Sequence, residues 1–405
     1  MAKKKEKPEL FDIHGSAELL KGSIKRLKES KATDKNKKLI LAFINSCVTS
    51  GNRGTHRRNK YLFHLKVIAE RIGKDLDKAQ KKDIEAFVTW LEKSDYGDNT
   101  RRDFRGCLKV FFKWLEAERL KISVRELEQQ RKEPATVAWF STGGKKNGIT
   151  LPQQILNEDD IILLLNNTTC SRDRAFISVL YESAGRIGEI GSLKIGSIAF
   201  DEFGCKISVS GKTGDRVIRC ITCTKFLQTW LNEHQLNGDL NAPLWIGKQT
   251  KKPIEYAGLA KIIKQAARRA GLQKPINPHA FRHARLTALA KVLKEAQLTL
   301  FAGWTSSDQC KTYVHLSQRD VDDAILGAYG LKEKPSEEKS KLLPRVCIYC
   351  TEPNEPTALF CSKCLKPLTL QAAQQYETEF QEKWLRLREM ETRLALVEQM
   401  LKAKK

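Results

Sequence analysis

The sequence predicts a mainly α-helical protein with a small β-sheet, arranged as two folded domains followed by a compact cysteine unit and a long terminal helix. Three observations predict this. Apolar residues recur at helical spacing through residues 33–120 and again beyond 157; one alternating stretch, GCKISVSGKTGDRVIRCIT, interrupts the second run; and polar segments rich in glycine or lysine separate the regions. A chain of 405 residues is long enough for two or three folded units.

Taken in order, residues 1–32 open with a lysine run and continue as ELLKGSIKRLKES, which has few large apolar residues and reads as a basic arm. Over 33–120 the stripes Leu39, Leu41, Phe43 and Ile44, then Tyr61, Leu62, Leu65 and Ile68, then Ile84, Phe87, Val88 and Leu91, then Leu108, Phe111, Phe112 and Leu115 give four helices. Gly97 breaks the chain before the last helix, and Asn99 and Thr100 suit its N-cap. Residues 121–153, ending in STGGKKNG, form a basic linker.

The second domain spans 154–330. Helical patterns cover 157–166, 171–190, 224–234, 256–271, 280–293 and 319–327, and a hairpin pairs 207–209 with 217–221 around Gly214 and Asp215. A linker at 331–344 contains EKPSEEKSK. The cysteine unit occupies 345–368, and 369–405 form one amphipathic helix on which Ala373, Tyr376, Phe380, Trp384, Leu387, Met390, Leu394, Val397 and Leu401 share a face. That spacing suits a coiled coil or a docked helix, and contact between protomers is the favoured reading.

Lysine and arginine number 72 against 48 acidic residues, a net charge of +24 spread along the chain. A polyanion is the natural partner, nucleic acid first, although charge alone also fits ribosomal or membrane-surface binders. No run approaches the ~18 apolar residues of a membrane helix, and MAKKKEKPELF lacks the apolar core of a signal peptide. The expectation is a cytoplasmic, nucleoid-associated protein with no membrane partner.

Of eleven cysteines, Cys347, Cys350, Cys361 and Cys364 read CxxC, ten residues, CxxC, a spacing that brings four thiolates around one tetrahedral Zn2+. Four cysteines leave no open coordination position, so the zinc is structural; a disulfide pair is the alternative. What the unit touches is open between DNA, a neighbouring protomer and the second domain. The other seven cysteines read as reduced thiols. Cys220 and Cys223 form a second CxxC with no partner pair nearby in sequence, which reads as a strand end and its turn.

The chemistry-bearing residues lie in the second domain: Arg186 in YESAGRIGEIGSLKI, Lys212 in SGKTGDR, His279 and Arg282 in NPHAFRHARL, Trp304 in FAGWTSS and Tyr313 in KTYVHL. Together these motifs resemble the catalytic residues of the tyrosine recombinases, and the resemblance implies that Arg186 and Arg282 meet the charge developing on the non-bridging oxygens of a phosphodiester, which planar guanidinium forks hold well. A phenol titrates near 10, so Tyr313 needs a base and a positive field to attack phosphorus, and His279 is the expected proton acceptor. Lys212, on a hairpin, is the candidate acid for the departing 5′ oxygen. The Trp304 indole donates to a phosphate oxygen or braces Tyr313. Glu189, one turn beyond Arg186, orients it, and His283 packs or bonds behind Arg282.

In order and spacing these motifs resemble the tyrosine recombinases, in which an arginine in a motif like TGLRxSEL, a hairpin lysine, HxLRH and LGHSS precede the nucleophilic tyrosine. Tyr313 follows Trp304 by nine positions, as the family's tyrosine follows its landmark. Phe281 replaces the leucine of HxLRH, and Trp304 replaces the histidine of LGHSS. The GKTGDR hairpin and the cysteine unit look most like archaeal integrase-type members.

The resemblance implies a two-domain DNA clamp made of a helical core-binding domain and a catalytic domain. It implies strand cleavage and rejoining through a 3′-phosphotyrosine, with neither ATP nor a catalytic metal, in a homotetramer on synapsed double-stranded DNA. Arg101 and Arg102, at the start of a helix in the first domain, are candidate DNA contacts. An inactive integrase-derived architectural zinc protein and a type IB topoisomerase are the alternatives.

Overall fold

A computed structural model describes residues 11–50, 54–130, 133–143, 154–211, 214–314, 325–326, 329–330 and 340–402. The chain divides into two compact units, His14–Ile149 and Met1–Ile13 with Thr150–Lys405. Among the described residues no helix is long and apolar enough to cross a membrane.

The first unit is helical: α1 (Ser16–Lys28), α2 (Asp34–Thr49), α3 (Thr55–Ile72), α4 (Lys81–Glu92), α5 (Asp98–Leu120) and α6 (Val124–Gln129). The four expected stripes become α2–α5. Their aromatic residues form the centre of the core, with Phe43 packed against Tyr61, Phe111 and Trp114 at ring separations of 5.3–5.5 Å. Two segments differ from the sequence reading. Much of the expected basic arm is helix α1, which buries Leu27 and packs on α3; Leu20, Ile24 and Leu27 sit at i, i+4 and i+7, a short stripe that suffices once a partner face exists. The early part of the expected linker also folds here, because α6 is closed by a Ser123–Glu126 capping box and Val137 is buried in the same core.

The second unit contains α7 (Glu158–Asn166), α8 (Ser171–Glu182), α9 (Ile187–Gly191), β1 (Ile198–Asp201), β2 (Gly204–Gly211), β3 (Gly214–Cys220), α10 (Thr224–Glu233), α11 (Tyr256–Arg269), α12 (Pro278–Leu289), α13 (Glu295–Ala302) and α14 (Asp308–Val314). The sheet is antiparallel in the order β1-β2-β3, so a third strand joins the expected hairpin. Gly211 pairs with Gly214 and Ser210 with Asp215, so Gly214 and Asp215 belong to β3 and not to the turn expected there. Cys205, Ile207 and Val209 alternate into the core with Ile218 and Cys220 opposite them. Phe11 and Ile13 also belong to this unit; they join its core, and the Tyr256 amide donates to the Ile13 carbonyl at 2.9 Å. Of the helix expected at 319–327, only 325–326 fall within the described residues.

The helix expected over 171–190 is broken in two. Ala184 adopts φ 46°, a left-handed conformation costing a residue with a Cβ about 1–2 kcal/mol. At Gly185 a Cβ would lie 2.5 Å from Ile190 Cδ1, so only glycine fits this turn. The break ends α8 at Glu182 and starts α9 after Arg186.

The cysteine unit holds strands β4 (Arg345–Val346) and β5 (Pro353–Asn354) and rests on α8 and α10. Arg174 and Thr229 both donate to the Glu355 carboxylate, at 3.1 and 3.0 Å, and Lys225 donates to Glu352 at 3.1 Å. Helix α15 (Leu370–Lys402) follows, with Tyr376, Phe380, Trp384, Leu387, Met390 and Leu394 all exposed.

Candidate active site

Arg186, His279, Arg282, His283, Trp304, Gln309 and Tyr313 line one open cleft of the second unit. Five of the six residues expected to carry the chemistry therefore meet within a single chain. The sixth, Lys212, lies outside the described residues, between the paired ends of β2 and β3.

Arg186 is the N-cap of α9 and Glu189 its third residue, forming a capping box in which the Arg186 amide donates to Glu189 Oε2 at 3.0 Å. The Arg186 guanidinium donates to Glu189 Oε1 at 2.8 Å and to the Gly303 carbonyl at 3.2 Å. Glu189 is only 4% exposed and takes a second fork, from Arg216 on β3, at 2.8 and 3.2 Å. Burial pushes the Glu189 carboxyl up, but the bonds from Arg216 and Arg186 outweigh it and hold it below its usual range. Gly211 is pressed against this carboxylate, since a Cβ there would lie 2.5 Å from Glu189 Oε1. The end of β2 at Gly211 is thereby anchored on the carboxylate that also holds Arg186.

Arg216 was absent from the sequence reading. Alternation along β3 puts it in phase with the buried Ile218 and Cys220, and an arginine on the inward side of a strand is the signal that marks it. It also donates to the Phe301 carbonyl at 3.1 Å.

Arg282 is 3% exposed on α12, whose start is fixed by Pro278 and by the Asn277 side chain accepting the His279 and Ala280 amides. It donates to the carbonyls of Ala184 at 2.7 Å and Ala302 at 2.8 Å. The left-handed turn at Ala184 thus presents a carbonyl to the buried cation. Among the described residues no carboxylate pairs with Arg282, and burial, then Arg186, lowers its pKa to about 10.

Tyr313 on α14 is 5% exposed, and its ring stacks on Trp304 at 5.5 Å and 24°. Arg282 lies over the other ring of this pair, 5.6 Å from the Trp304 centroid, so the indole contacts both the guanidinium and the phenol. The bracing role expected of Trp304 is the one these contacts fit. One turn earlier, Cys310 is buried and in hydrogen-bond contact with Thr299 on α13 at 3.2 Å, which docks α14.

The phenolic hydroxyl is hydrogen-bonded to His283 Nδ1 at 2.7 Å, and not to His279, the residue expected to take its proton. The reason is helical placement: His279 lies in the first turn of α12, while His283 lies one turn deeper, opposite Tyr313. The two imidazoles meet edge to face at 4.4 Å. Burial, then His279 and Arg282, lowers the His283 pKa to about 4, while burial raises Tyr313 to about 12 against the pull of Arg282. At neutral pH the imidazole of His283 is therefore uncharged and Tyr313 keeps its proton, and in the tautomer protonated at Nε2 the phenol donates to Nδ1. Burial and the two guanidinium groups lower His279 as well.

The candidate DNA contacts behave differently from each other. Arg101 is half-buried and donates to the Ser94 carbonyl at 2.9 Å, whereas Arg102 is exposed beside Arg57, Lys60 and Lys109.

The four cysteines of the terminal unit converge, with Cys347 and Cys364 sulfurs 3.6 Å apart and Cys350 and Cys361 sulfurs 3.5 Å apart. The Lys363 amide points at Cys361 Sγ at 3.4 Å, which suits a thiolate. The donor set and its spacing fit one tetrahedral zinc.

Residues 154–319 match the phage integrase family. Tyrosine recombinase XerC of Leptospira interrogans is 24% identical over 298 residues, covering 71% of this chain and 91% of that protein. Among solved structures, the chain resembles XerH site-specific recombinase bound to palindromic difH substrate in a post-cleavage complex, with TM-score 0.54, 19% identity, and coverage of 78% of this chain and 97% of that one. It also resembles a lambda integrase tetramer bound to a Holliday junction, with TM-score 0.51, 14% identity, and coverage of 68% and 76%.

Proposed function

We propose, on the premise that this chain is a tyrosine recombinase, that it breaks and rejoins double-stranded DNA through a covalent bond between Tyr313 and a 3′ phosphate. One observation carries the reading: a buried arginine with no carboxylate partner among the described residues stands beside a buried phenol hydrogen-bonded to a neutral imidazole. An unpaired buried cation is costly, and a bound phosphate supplies the missing charge.

Arg282 and Arg186 hold two non-bridging oxygens, with Glu189 and the surrounding carbonyls fixing both forks before substrate arrives. The Tyr313 oxygen attacks phosphorus, its proton passes to His283, and the P–O5′ bond breaks. His279, nearer the mouth of the cleft, contacts the phosphate. Lys212 protonates the leaving 5′ oxygen. Attack by a 5′ hydroxyl of another strand reverses the step, so the phosphodiester energy is kept and no ATP is needed.

The +24 charge supports a clamp in which both units grip the duplex, with Arg57, Lys60, Arg102 and Lys109 meeting phosphates in the first. A homotetramer on synapsed sites is supported by the lambda integrase tetramer on a Holliday junction, and α15 supplies an apolar stripe for a second copy of this chain. Zn2+ held by Cys347, Cys350, Cys361 and Cys364 stabilises the terminal unit, and no cofactor takes part in catalysis. The protein acts in the cytoplasm on the nucleoid. The archaeal-type affinity rests on the hairpin and cysteine unit alone.

A duplex nicked near the crossover tests the reading by trapping the intermediate. Wild type should form a DNA–protein adduct that Tyr313→Phe abolishes while still binding DNA. Binding without any adduct in wild type would leave an architectural protein, and relaxation of plasmids lacking a specific site would make it a topoisomerase.

A further inference from the structure

The core of the second unit contains a second cluster of metal-binding side chains. Cys220 and Cys223 form a CxxC at the end of β3, and their sulfurs and a Glu182 carboxylate oxygen lie within 4.8 Å of one another, all three residues buried. The third thiol that the sequence did not place beside them comes from across the sheet. Cys205 pairs directly with Cys220 in the β2–β3 register, so its buried side chain lies on the same face of the sheet beside that pair.

Glu182 is the unusual member. It is 3% exposed, and its oxygens accept the amides of Ile221, Thr222 and Cys223 at 2.8, 2.9 and 2.8 Å. Those bonds fix the carboxylate but bring no full positive charge, and a desolvated carboxylate costs several kcal/mol when no cation balances it. Three thiols packed for apolar burial have no need of such a neighbour. Three thiolates and a carboxylate are a donor set for a tetrahedral thiophilic ion, whose bonds of about 2.3 Å to sulfur place the ligand sulfurs somewhat under 4 Å apart.

We propose that Cys205, Cys220, Cys223 and Glu182 bind a second Zn2+, independent of the terminal cysteine unit. Its position gives it a structural role. The ion ties the base of the β2–β3 hairpin to the end of α8, directly before the turn that presents Ala184 to Arg282 and Arg186 to the cleft. Both the lysine hairpin and the arginine turn are then held from one point.

Metal content of the full-length protein, purified under reducing conditions, decides this without reference to activity. Two zinc ions per chain are expected in wild type. Cys361→Ser with Cys364→Ser should keep one, and cobalt replacing it should show thiolate-to-cobalt charge-transfer absorption. Cys220→Ser with Cys223→Ser should also keep one, while Glu182→Gln should weaken the core ion by 10–100-fold. Should the double-serine core variant not fold, the wild-type count and the cobalt spectrum of the terminal-unit variant still decide. A terminal-unit variant that holds no zinc, or a Cys205–Cys220 disulfide found by peptide mapping, overturns the proposal, whereas a single zinc in wild type that this variant retains would count only against the terminal site.

Discussion

Arginine serves opposite purposes in the two units. In the cleft of the second unit Arg186, Arg216 and Arg282 are fixed by a shared carboxylate or by backbone carbonyls, and Arg282 is buried with no carboxylate of its own among the described residues. In the helical unit Arg102 is exposed on α5, in a pocket shared with Arg57, Lys60 and Lys109 and with Asp103, which pairs with Lys60. Fixed, desolvated cations suit a transition state whose charge appears at defined atoms, while mobile, solvated ones suit a backbone met in any sequence. Arg101 belongs with neither group: bonded to the Ser94 carbonyl, it supports its own helix.

The contrast can be broken most severely at Arg282. Arg282→Lys keeps the charge but loses the fork to Ala184 and Ala302, and cleavage should fall on the order of 10²–10³-fold with DNA affinity nearly unchanged. Equal loss in binding and cleavage would reduce Arg282 to a simple phosphate contact. Next comes Glu189→Gln, which leaves Arg186 and Arg216 without their common anion. Breaking a buried pair from one side costs about 3–5 kcal/mol, so thermal unfolding should drop and cleavage with it; an unchanged melting temperature would show the carboxylate to be dispensable.

The proton acceptor sharpens the same comparison through pH. Because burial, His279 and Arg282 hold His283 at about 4, it stays neutral through the ordinary histidine range. Single-turnover cleavage should therefore hold steady as pH falls through 6.5 and be lost only as it approaches 4. A limb that vanishes in His279→Gln but persists in His283→Gln would transfer the role to His279, whose own titration burial and the two guanidinium groups move below the usual histidine range. The smallest effect belongs to the helical unit: Arg102→Ala should weaken binding to all sequences alike and reduce the salt slope by about 1. Arg101→Ala should instead lower stability and leave that slope alone.

What could be read beforehand divides along the same line. Motif order and spacing named Arg186, His279, Arg282, Trp304 and Tyr313, and the structure gathers these into one cleft. Periodicity found α2–α5 because each carries a full apolar stripe. It missed α1, whose stripe of Leu20, Ile24 and Leu27 is meaningful only against α3. The break at 183–185 was invisible because no local signal demands it; Ala184 accepts a strained conformation in order to serve a cation 98 residues away. His283 was placed behind Arg282 because sequence gives neighbours along the chain, whereas its bond to Tyr313 comes from α14 folding across α12. Cys205 escaped for the same reason, since strand register and not spacing brings it to Cys220.

The central claim is that one chain assembles both the nucleophile and the groups that activate it. Mixing Tyr313→Phe with Arg282→Ala on a nicked suicide duplex tests this directly. If Tyr313 works with its own chain's Arg282, as their packing about Trp304 indicates, the mixture should form no more adduct than either variant alone. Recovery of the adduct on mixing would show that the tyrosine is donated between subunits and would contradict the account.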